Sequence, residues 1–241
     1  LVDPYILGLS SGAALGAASA LALHISWLIP PFAFLGALLA TTLAYLLAQD
    51  QGRAPVLRLL LSGVATSAFL SALVSILMLK NQNNLQTIFL WLMGSFSGRS
   101  WQDLVSILPY LAAGLCLIFM RLRELNLLLL GEEAAGQLGM EVEWGKRFLL
   151  LGATLAAAAS VAASGTIGFV GLVVPHLVRL LAGSEHRLLF PISLLAGALF
   201  LVLADTLART VMAPVELPVG IITSLLGAPF FLYLLRTGGR R

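Results

Sequence analysis

The sequence predicts an all-α polytopic membrane protein with about eight membrane segments. Hydrophobic residues make up 59% of the 241 positions and charged residues only 10%, a balance far from that of soluble domains. The Asp, Glu, Lys and Arg residues also cluster, and the gaps between them have the lengths of membrane spans, the first being long enough for two. These charge-free stretches are residues 4–49, 59–79, 81–98, 104–120, 148–178, 188–204 and 217–235.

The first half of the chain contains four of the predicted spans. Their expected limits are residues 6–23, 30–49, 55–79 and 103–120, with a short helix at 85–93 that ends in Gly94-Ser-Phe-Ser-Gly98. Pro30 and Pro31 suit the first turn of the second span. The first span is rich in Gly, Ala and Ser, which either allow close helix contact or mark a broken helix around residues 7–16.

The charge-free run at 148–178 is too long for one crossing. Gly165, Gly168 and Gly171 interrupt it, and internal glycines weaken a helix by about 1 kcal/mol each. We therefore predict a span at 145–164, an irregular stretch, and a short helix at 171–182. Unwound backbone at membrane depth must be buried by protein or line a wet cavity, so this break is either part of a transport pathway or a re-entrant packing element.

Two further spans are expected at 188–209 and 218–235, which gives eight segments and places both chain ends on one side. Two glycine-broken segments in matching places would point to a pathway at the midplane of an internal repeat. The Lys and Arg residues predicted on the side of the termini are Arg53, Arg58, Arg121, Arg123, Lys146, Arg147, Arg179, Arg187, Arg236, Arg240 and Arg241. Those predicted on the other side are Lys80, Arg99 and Arg209. The positive-inside rule therefore predicts cytoplasmic termini, and topology, rather than nucleic-acid binding, explains the pI near 9.4.

The chain shows no sign of an enzyme or of its own energy source. Lys146 fails the phosphate-loop pattern, because Met140 and Arg147 stand where Gly and Ser or Thr are required. Asp205, the one clear intramembrane acid, precedes Arg209 by four residues, a spacing that favours a salt bridge over a proton relay. His176 is expected to pack rather than carry protons. An ion-coupled carrier remains the rival class, and a channel or structural subunit a third.

Residues 131–144 form the one sizeable connection on the predicted cytoplasmic side. Glu132 and Glu133 suit the positive end of a short helix, and Gly139 suits its C-terminal cap. Small residues between them would give a compact docking knob, although a plain solvated connector fits the same pattern.

Four ordered motifs carry a resemblance to a known family. They are Leu7-Gly-Leu-Ser-Ser-Gly-Ala, Leu130-Gly-Glu-Glu-Ala-Ala-Gly-Gln-Leu-Gly139, Gly165-Thr-Ile-Gly-Phe-Val-Gly-Leu-Val-Val-Pro-His-Leu-Val-Arg179, and Glu216-Leu-Pro-Val-Gly220 with Leu226-Gly-Ala-Pro-Phe230. Together they resemble the FecCD-like permeases of type II ABC importers for iron-siderophores, haem and vitamin B12. The resemblance covers essentially the whole chain. Family members normally have ten spans, so the two N-terminal spans are expected to be missing from residues 1–241, taken here as a single permease domain.

The resemblance implies a permease without a cofactor, in the cell membrane of a prokaryote. It would pair with itself or a similar subunit, with two cytoplasmic ATPases and with an extracytoplasmic binding protein. The implied ATPase-docking residues are Glu132, Glu133, Ala134, Ala135, Gln137, Leu138 and Gly139, and the implied docking residues for the binding protein are Arg209 and Glu216. The implied gate residues are Val56, Leu57 and Leu1. Further pathway candidates are Ser10, Ser11, Ser95, Ser97, Gly165, Gly168, Gly171, Thr223 and Ser224, and an iron-siderophore is the first choice of ligand.

Overall fold

The computed structural model describes residues 7–50 and 54–238, and this part of the chain is helical with short connections. Its α-helices are α1 (Leu9–Ala22), α2 (Ile29–Ala48), α3 (Val56–Lys80), α4 (Leu85–Leu92), α5 (Trp101–Met120), α6 (Leu122–Leu128), α7 (Glu132–Gln137), α8 (Val142–Ser164), α9 (Val170–Ala182), α10 (His186–Thr210) and α11 (Val219–Gly238). Leu1 lies outside the described residues.

The predicted all-α membrane fold is confirmed. Five helices, α2, α3, α5, α8 and α10, are long and apolar enough to cross a bilayer, and α1, α9 and α11 are shorter apolar helices. These eight helices correspond to the eight predicted segments, and their ends agree with the predicted ends to within one helical turn. Composition and charge spacing were therefore sufficient to place the elements.

Helices α1 and α2 pack backbone against backbone. A Cβ atom built at Gly16 would overlap the carbonyl oxygen of Phe32, and Gly12 and Gly36 would overlap each other's carbonyl oxygens in the same way. Helix α1 is continuous from Leu9 to Ala22, so of the two alternatives for its glycines the broken helix around residues 7–16 is wrong and the close helix contact is confirmed. Its glycines permit close contact with α2 instead of unwinding the helix, and the proposed pairing of two broken segments is lost with it.

The main core lies between α1, α2, α4 and α8. It consists mostly of small side chains, including the fully buried Ala13, Ala18, Ala33, Ala37 and Ala158, together with the large side chains of Leu9, Leu21, Ile88 and Trp91. Helix α5 packs on α8 at a second glycine contact, where Gly114 and Gly152 oppose each other. Close packing of small residues replaces the hydrophobic effect as the source of helix association in lipid.

Helices α9, α10 and α11 form a second group with smaller cores. Val174 and Val178 of α9 pack on Leu189 of α10, while Ala204 and Ala208 of α10 pack on α11. Asn126 of α6 joins the two groups, because its Oδ1 accepts a 2.9 Å hydrogen bond from the backbone N–H of His186.

The two ends of the bundle differ in charge. We call the end at which α2, α5 and α9 finish and α3, α8 and α10 begin the basic end, because most of the described Arg and Lys residues lie there. Contacts between elements define it: Arg147 Nε donates to Tyr45 OH at 3.0 Å, and the Arg121 guanidinium lies 5.0 Å from the centre of the Phe148 ring. The other end, which carries Arg209 and Lys80, is the opposite end.

Candidate functional site

The predicted break in the C-terminal part of the chain is present. Helix α8 ends at Ser164, Gly165 follows with a φ of 72°, and Phe169 adopts a left-handed conformation with a φ of 67° just before α9 begins. Left-handed backbone is unfavourable for a residue with a side chain. Residues 165–169 are non-helical over about one turn, between two apolar helices.

A second non-helical stretch meets this break. Helix α4 ends at Leu92, and Gly94 turns the chain with a φ of 68°. The N–H of Ser95 then donates to the carbonyl oxygen of Ser164 at 2.8 Å, and the Thr166 hydroxyl donates to the carbonyl oxygen of Leu92. Each of the two non-helical segments thus supplies hydrogen-bond partners for the other.

The start of α11 completes the contact. The N–H of Gly220 points at the carbonyl oxygen of Gly94 at 3.5 Å, and a Cβ atom at Gly220 would overlap the carbonyl oxygen of Met93. We call the meeting of residues 91–97, 164–169 and 218–220 the glycine junction. Gly94, Gly165 and Gly220 are buried in it, and its hydrogen bonds satisfy part of the irregular backbone, as a bilayer requires.

The three predicted pathway glycines differ in their surroundings. A Cβ atom at Gly165 would overlap the carbonyl oxygen of Trp91, whereas one at Gly168 or Gly171 would have no atom within 4 Å outside its own helix or neighbours. Gly171 lies inside α9 and is exposed. Gly165 is therefore a packing position, and the other two face open space beside the junction.

The predicted pathway hydroxyls do not form one cluster. Ser97 Oγ donates to Glu216 Oε2 at 2.7 Å, Ser95 Oγ accepts from the N–H of Ser97 at 3.0 Å, and Ser11 Oγ donates to the carbonyl oxygen of Gly8 at 3.0 Å. Thr223 is fully buried and donates to the carbonyl oxygen of Gly220 at 3.2 Å, so it supports the junction from behind.

The remaining two hydroxyls differ from these. Ser10 Oγ is buried without a hydrogen-bond partner among the described residues, and Ser224 is half-buried in the second turn of α11. The predicted gate residues Val56 and Leu57 are exposed at the start of α3, by 53% and 69%. Next to them, Arg58 pairs with Asp50 at 2.7 Å.

Residues 131–144 fold as a short capped helix followed by a turn. Glu132 and Glu133 occupy the first turn of α7. At its end, the N–H of Met140 donates to Ala135 and the N–H of Gly139 donates to Gly136, with a φ of 83° at Gly139. These two bonds form a Schellman cap, so the predicted acidic start and glycine cap of this helix are confirmed.

The surface of this segment is acidic and partly apolar. Ala135 is fully buried and anchors α7, Ala134 is half-buried, and Gln137 is exposed. Leu138 is 60% exposed. Two open concavities flank the segment. One of about 510 Å³ lies between Arg121, Leu138 and Trp144, and one of about 790 Å³ lies between Glu133, Glu141 and Trp144.

Sequence reasoning missed the role of Lys146. Its Nζ lies 3.1 Å from Glu132 Oε1, 2.9 Å from Glu143 Oε1 and 3.0 Å from the carbonyl oxygen of Ala54. The spacing of Glu143 and Lys146 on one helix face signals one of these contacts. The other two join residues that are distant in sequence, and no local pattern announces them.

A second charged cluster lies at the opposite end. Arg209 Nε donates to Asp205 Oδ2 at 2.8 Å, which confirms the predicted salt bridge, and Arg209 Nη1 lies 3.9 Å from Glu216 Oε1. The side chains of Arg209 and Glu216 are 42% and 49% exposed. His176 contacts the Phe230 ring edge-on, with 6.5 Å between ring centres, in agreement with a packing role.

The comparisons with known proteins agree over nearly the whole chain. The protein-family model described as the FecCD transport family matches residues 1–237. The cobalamin import system permease protein BtuC of Halobacterium salinarum is 48% identical over 98% of this chain, which spans 64% of that relative's length. The iron(3+)-hydroxamate import system permease protein FhuG of Bacillus subtilis is 41% identical, with 98% of this chain and 73% of the relative covered.

Two further comparisons extend this set. The hemin transport system permease protein HmuU of Yersinia pestis is 43% identical over 98% of this chain and 72% of its own length. Among solved structures, an inward-facing conformation described as a metal-chelate type ABC transporter matches with a TM-score of 0.88 and 35% identity. This match covers 98% of this chain and 76% of that chain.

The glycine junction makes a testable prediction about stability. Gly165→Ala should lower the free energy of unfolding by about 2 kcal/mol or more, because Ala is disfavoured at positive φ and its Cβ meets the Trp91 carbonyl. Gly168→Ala is the matched control, since a Cβ there meets open space. Thermal unfolding in detergent should show a melting temperature lower by about 5 °C for the first variant only. Equal melting temperatures would contradict a packing role for Gly165.

Proposed function

The chain belongs to the FecCD transport family, and from this premise we propose that it is the permease subunit of an ATP-driven importer of a metal chelate. The proposal depends mainly on one observation: similarity over nearly the full chain to permeases named for cobalamin, iron-hydroxamate and hemin import. These cargoes share a metal ion enclosed in a large organic ligand. An iron-siderophore is the first candidate, with haem and cobalamin as alternatives.

The proposed location is the cell membrane of a prokaryote, with the basic end in the cytoplasm. Arg58, Arg121, Arg123, Lys146 and Arg147 all lie at that end, and Lys and Arg residues are retained on the cytoplasmic side of membrane proteins. This orientation places the C-terminus and residues 131–144 in the cytoplasm.

The proposed cytoplasmic partner is a pair of ATPase subunits that contact residues 131–144. Helix α7 suits this role because the buried side chain of Ala135 anchors its middle and the cap at Gly139 fixes its end. Glu133 and Leu138 are exposed on it, which offers one charge and one apolar anchor to a partner. Because α7 is rigid, a partner bound to it would move the whole helix without bending it.

The proposed pathway lies between this chain and a second permease copy or a similar subunit, a symmetric arrangement that is common among oligomers. Gly168 and Gly171 would face it near the glycine junction, and Val56 and Leu57 would form the gate at the basic end. ATP binding by the partner would provide the differential affinity that any switch between two states requires.

An ion-coupled carrier is less well supported by the geometry. Such carriers place ionisable groups deep in the membrane for use in transport. Asp205 lies within a predicted span, but its carboxylate is paired with Arg209 at 2.8 Å, close to the end of α10. Among the described residues, the acid best placed for ion coupling is thus already neutralised.

Uptake in a reconstituted system tests the proposal. Proteoliposomes that contain the chain, its ATPase and its binding protein should accumulate a ferric siderophore only when ATP is supplied, and haemin and cobalamin are tested in parallel. Collapse of the proton and sodium gradients should leave uptake unchanged. Uptake that requires a gradient and not ATP would support the carrier instead.

The exposed acid of α7 allows a test of ATPase docking. Glu133 has no ion pair within the described part of the chain, whereas Glu132 is bound to Lys146. Glu133→Lys should therefore weaken ATPase co-purification by about tenfold without loss of thermal stability. Glu185→Lys, an equal charge change in the exposed turn before α10, is the control. Unchanged co-purification of the Glu133 variant would contradict docking at this face.

The opposite end offers a test of binding-protein docking at Arg209 and Glu216. Arg209→Glu should reduce capture of the binding protein by about tenfold, and it also places a carboxylate beside Asp205. The double swap Asp205→Arg with Arg209→Glu re-forms an ion pair at the same helical spacing. It should recover the melting temperature but not the capture. If capture also returns, Arg209 serves only to pair with Asp205.

A further inference from the structure

Lys146 joins three parts of the chain at the basic end. Its ammonium group lies 3.1 Å from Glu132 of α7, 2.9 Å from Glu143 in the first turn of α8, and 3.0 Å from the carbonyl oxygen of Ala54. An ammonium has three N–H donors, and each of these acceptors can take one. The lysine side chain is only 17% exposed, so water competes little for these donors.

The contact with Ala54 is reinforced from the other direction. The N–H of Ala54 lies 3.4 Å from Glu143 Oε2, so the same carboxylate that binds Lys146 also faces the backbone that Lys146 binds. Ala54 is itself buried, with 2% of its surface exposed. The backbone at residue 54 is therefore held to the start of α8 at both its N–H and its carbonyl oxygen.

This held position lies immediately before α3. Pro55 follows Ala54 in an extended conformation as the N-cap of α3, and Val56 is the first helical residue. Proline fixes its own φ, so the step from the held backbone to the helix contains little freedom. A displacement of Ala54 is passed directly to Val56 and Leu57.

Lys146 contacts α7 through one side chain. Among the described residues, Glu132 is the one side chain of α7 that bonds to Lys146, and it lies next to the exposed Glu133. Loss of the lysine would leave Glu132 and Glu143 as two unneutralised carboxylates in a partly buried position, and like charges there repel each other. The lysine thus neutralises carboxylates of two elements that would otherwise repel each other.

We propose that Lys146 is a positioning residue that transmits movement of α7 to the start of α3, through its simultaneous contacts with Glu132, Glu143 and Ala54. This inference rests on the proposed function, because it assumes that a partner moves α7 and that Val56 and Leu57 form a gate. It assigns the link between these two sites to one side chain. Lys146→Met should then separate ATP hydrolysis from gate movement.

The experiment uses the assembled transporter with its ATPase and binding protein. Cys116 is the one cysteine of the chain, so a Cys116→Ser background allows Leu57→Cys to report gate access through its labelling rate with a water-soluble maleimide. Three quantities are measured: ATPase co-purification, uptake per ATP hydrolysed, and the change in labelling rate when ATP is added. Lys80→Met, which removes a lysine from the far end of α3, is the matched control.

Lys146→Met is expected to retain the ATPase and its hydrolysis, but to lower uptake per ATP by about fivefold or more and to abolish the ATP-dependent change in labelling. Lys146→Arg, which keeps the charge, should recover part of both. Glu132→Gln should give a smaller loss, and its effect should not add to that of Lys146→Met, because both remove the same contact. Lys80→Met should behave as the parent chain.

Other outcomes overturn the proposal. Normal uptake per ATP and normal labelling in Lys146→Met would show that the link is not used. Loss of thermal stability in both Lys146→Met and Glu132→Gln would show that the contacts only maintain the fold, and loss of ATPase co-purification at unchanged stability would show that they serve docking instead. Absence of ATP-dependent uptake in the parent transporter would instead contradict the proposed function itself, so the two failures are distinguishable.

Discussion

The need to satisfy backbone hydrogen bonds inside a bilayer governs this fold more than any side-chain contact. Helix α8 stops at Ser164 in an apolar region, where an unpaired N–H or carbonyl group costs several kcal/mol. The chain can stop there because Ser95 and Thr166 supply bonds across the glycine junction. Close approach of these non-helical segments requires Gly94, Gly165 and Gly220. Three glycines that are distant in sequence thus allow the same backbone contact.

The charged groups of the chain gather at its two ends, and the cluster at the opposite end touches the junction through the hydrogen bond from Ser97 to Glu216. At the basic end, Lys146 gathers acids and a backbone carbonyl from three elements. At the opposite end, Arg209 lies between Asp205 and Glu216. Both clusters combine contacts within one helix with contacts to another element. Each is therefore suited to respond when a partner displaces one of its members, which the helix-filled middle is not.

The sequence was sufficient for the elements and insufficient for their contacts. Charge-free lengths placed all eight segments, and the Gly165 break followed from helix propensity and span length. The sequence left the glycines of α1 undecided, because Gly12 and Gly16 look the same whether they interrupt a helix or let it pack closely on α2. The contact of Glu132 with Lys146 was not predicted, since a long-range ion pair leaves no periodic trace in the sequence.

The close contact of α1 with α2 has a mechanical consequence. Where Gly12, Gly16 and Gly36 bring two backbones together without intervening side chains, sliding or rotation of one helix would drive main-chain atoms into each other. Helices α1 and α2 are therefore expected to move together as one rigid unit. A rearrangement of the bundle would therefore take place where packing is less tight. The group formed by α9, α10 and α11, with its small separate cores, is the part that can move relative to this pair.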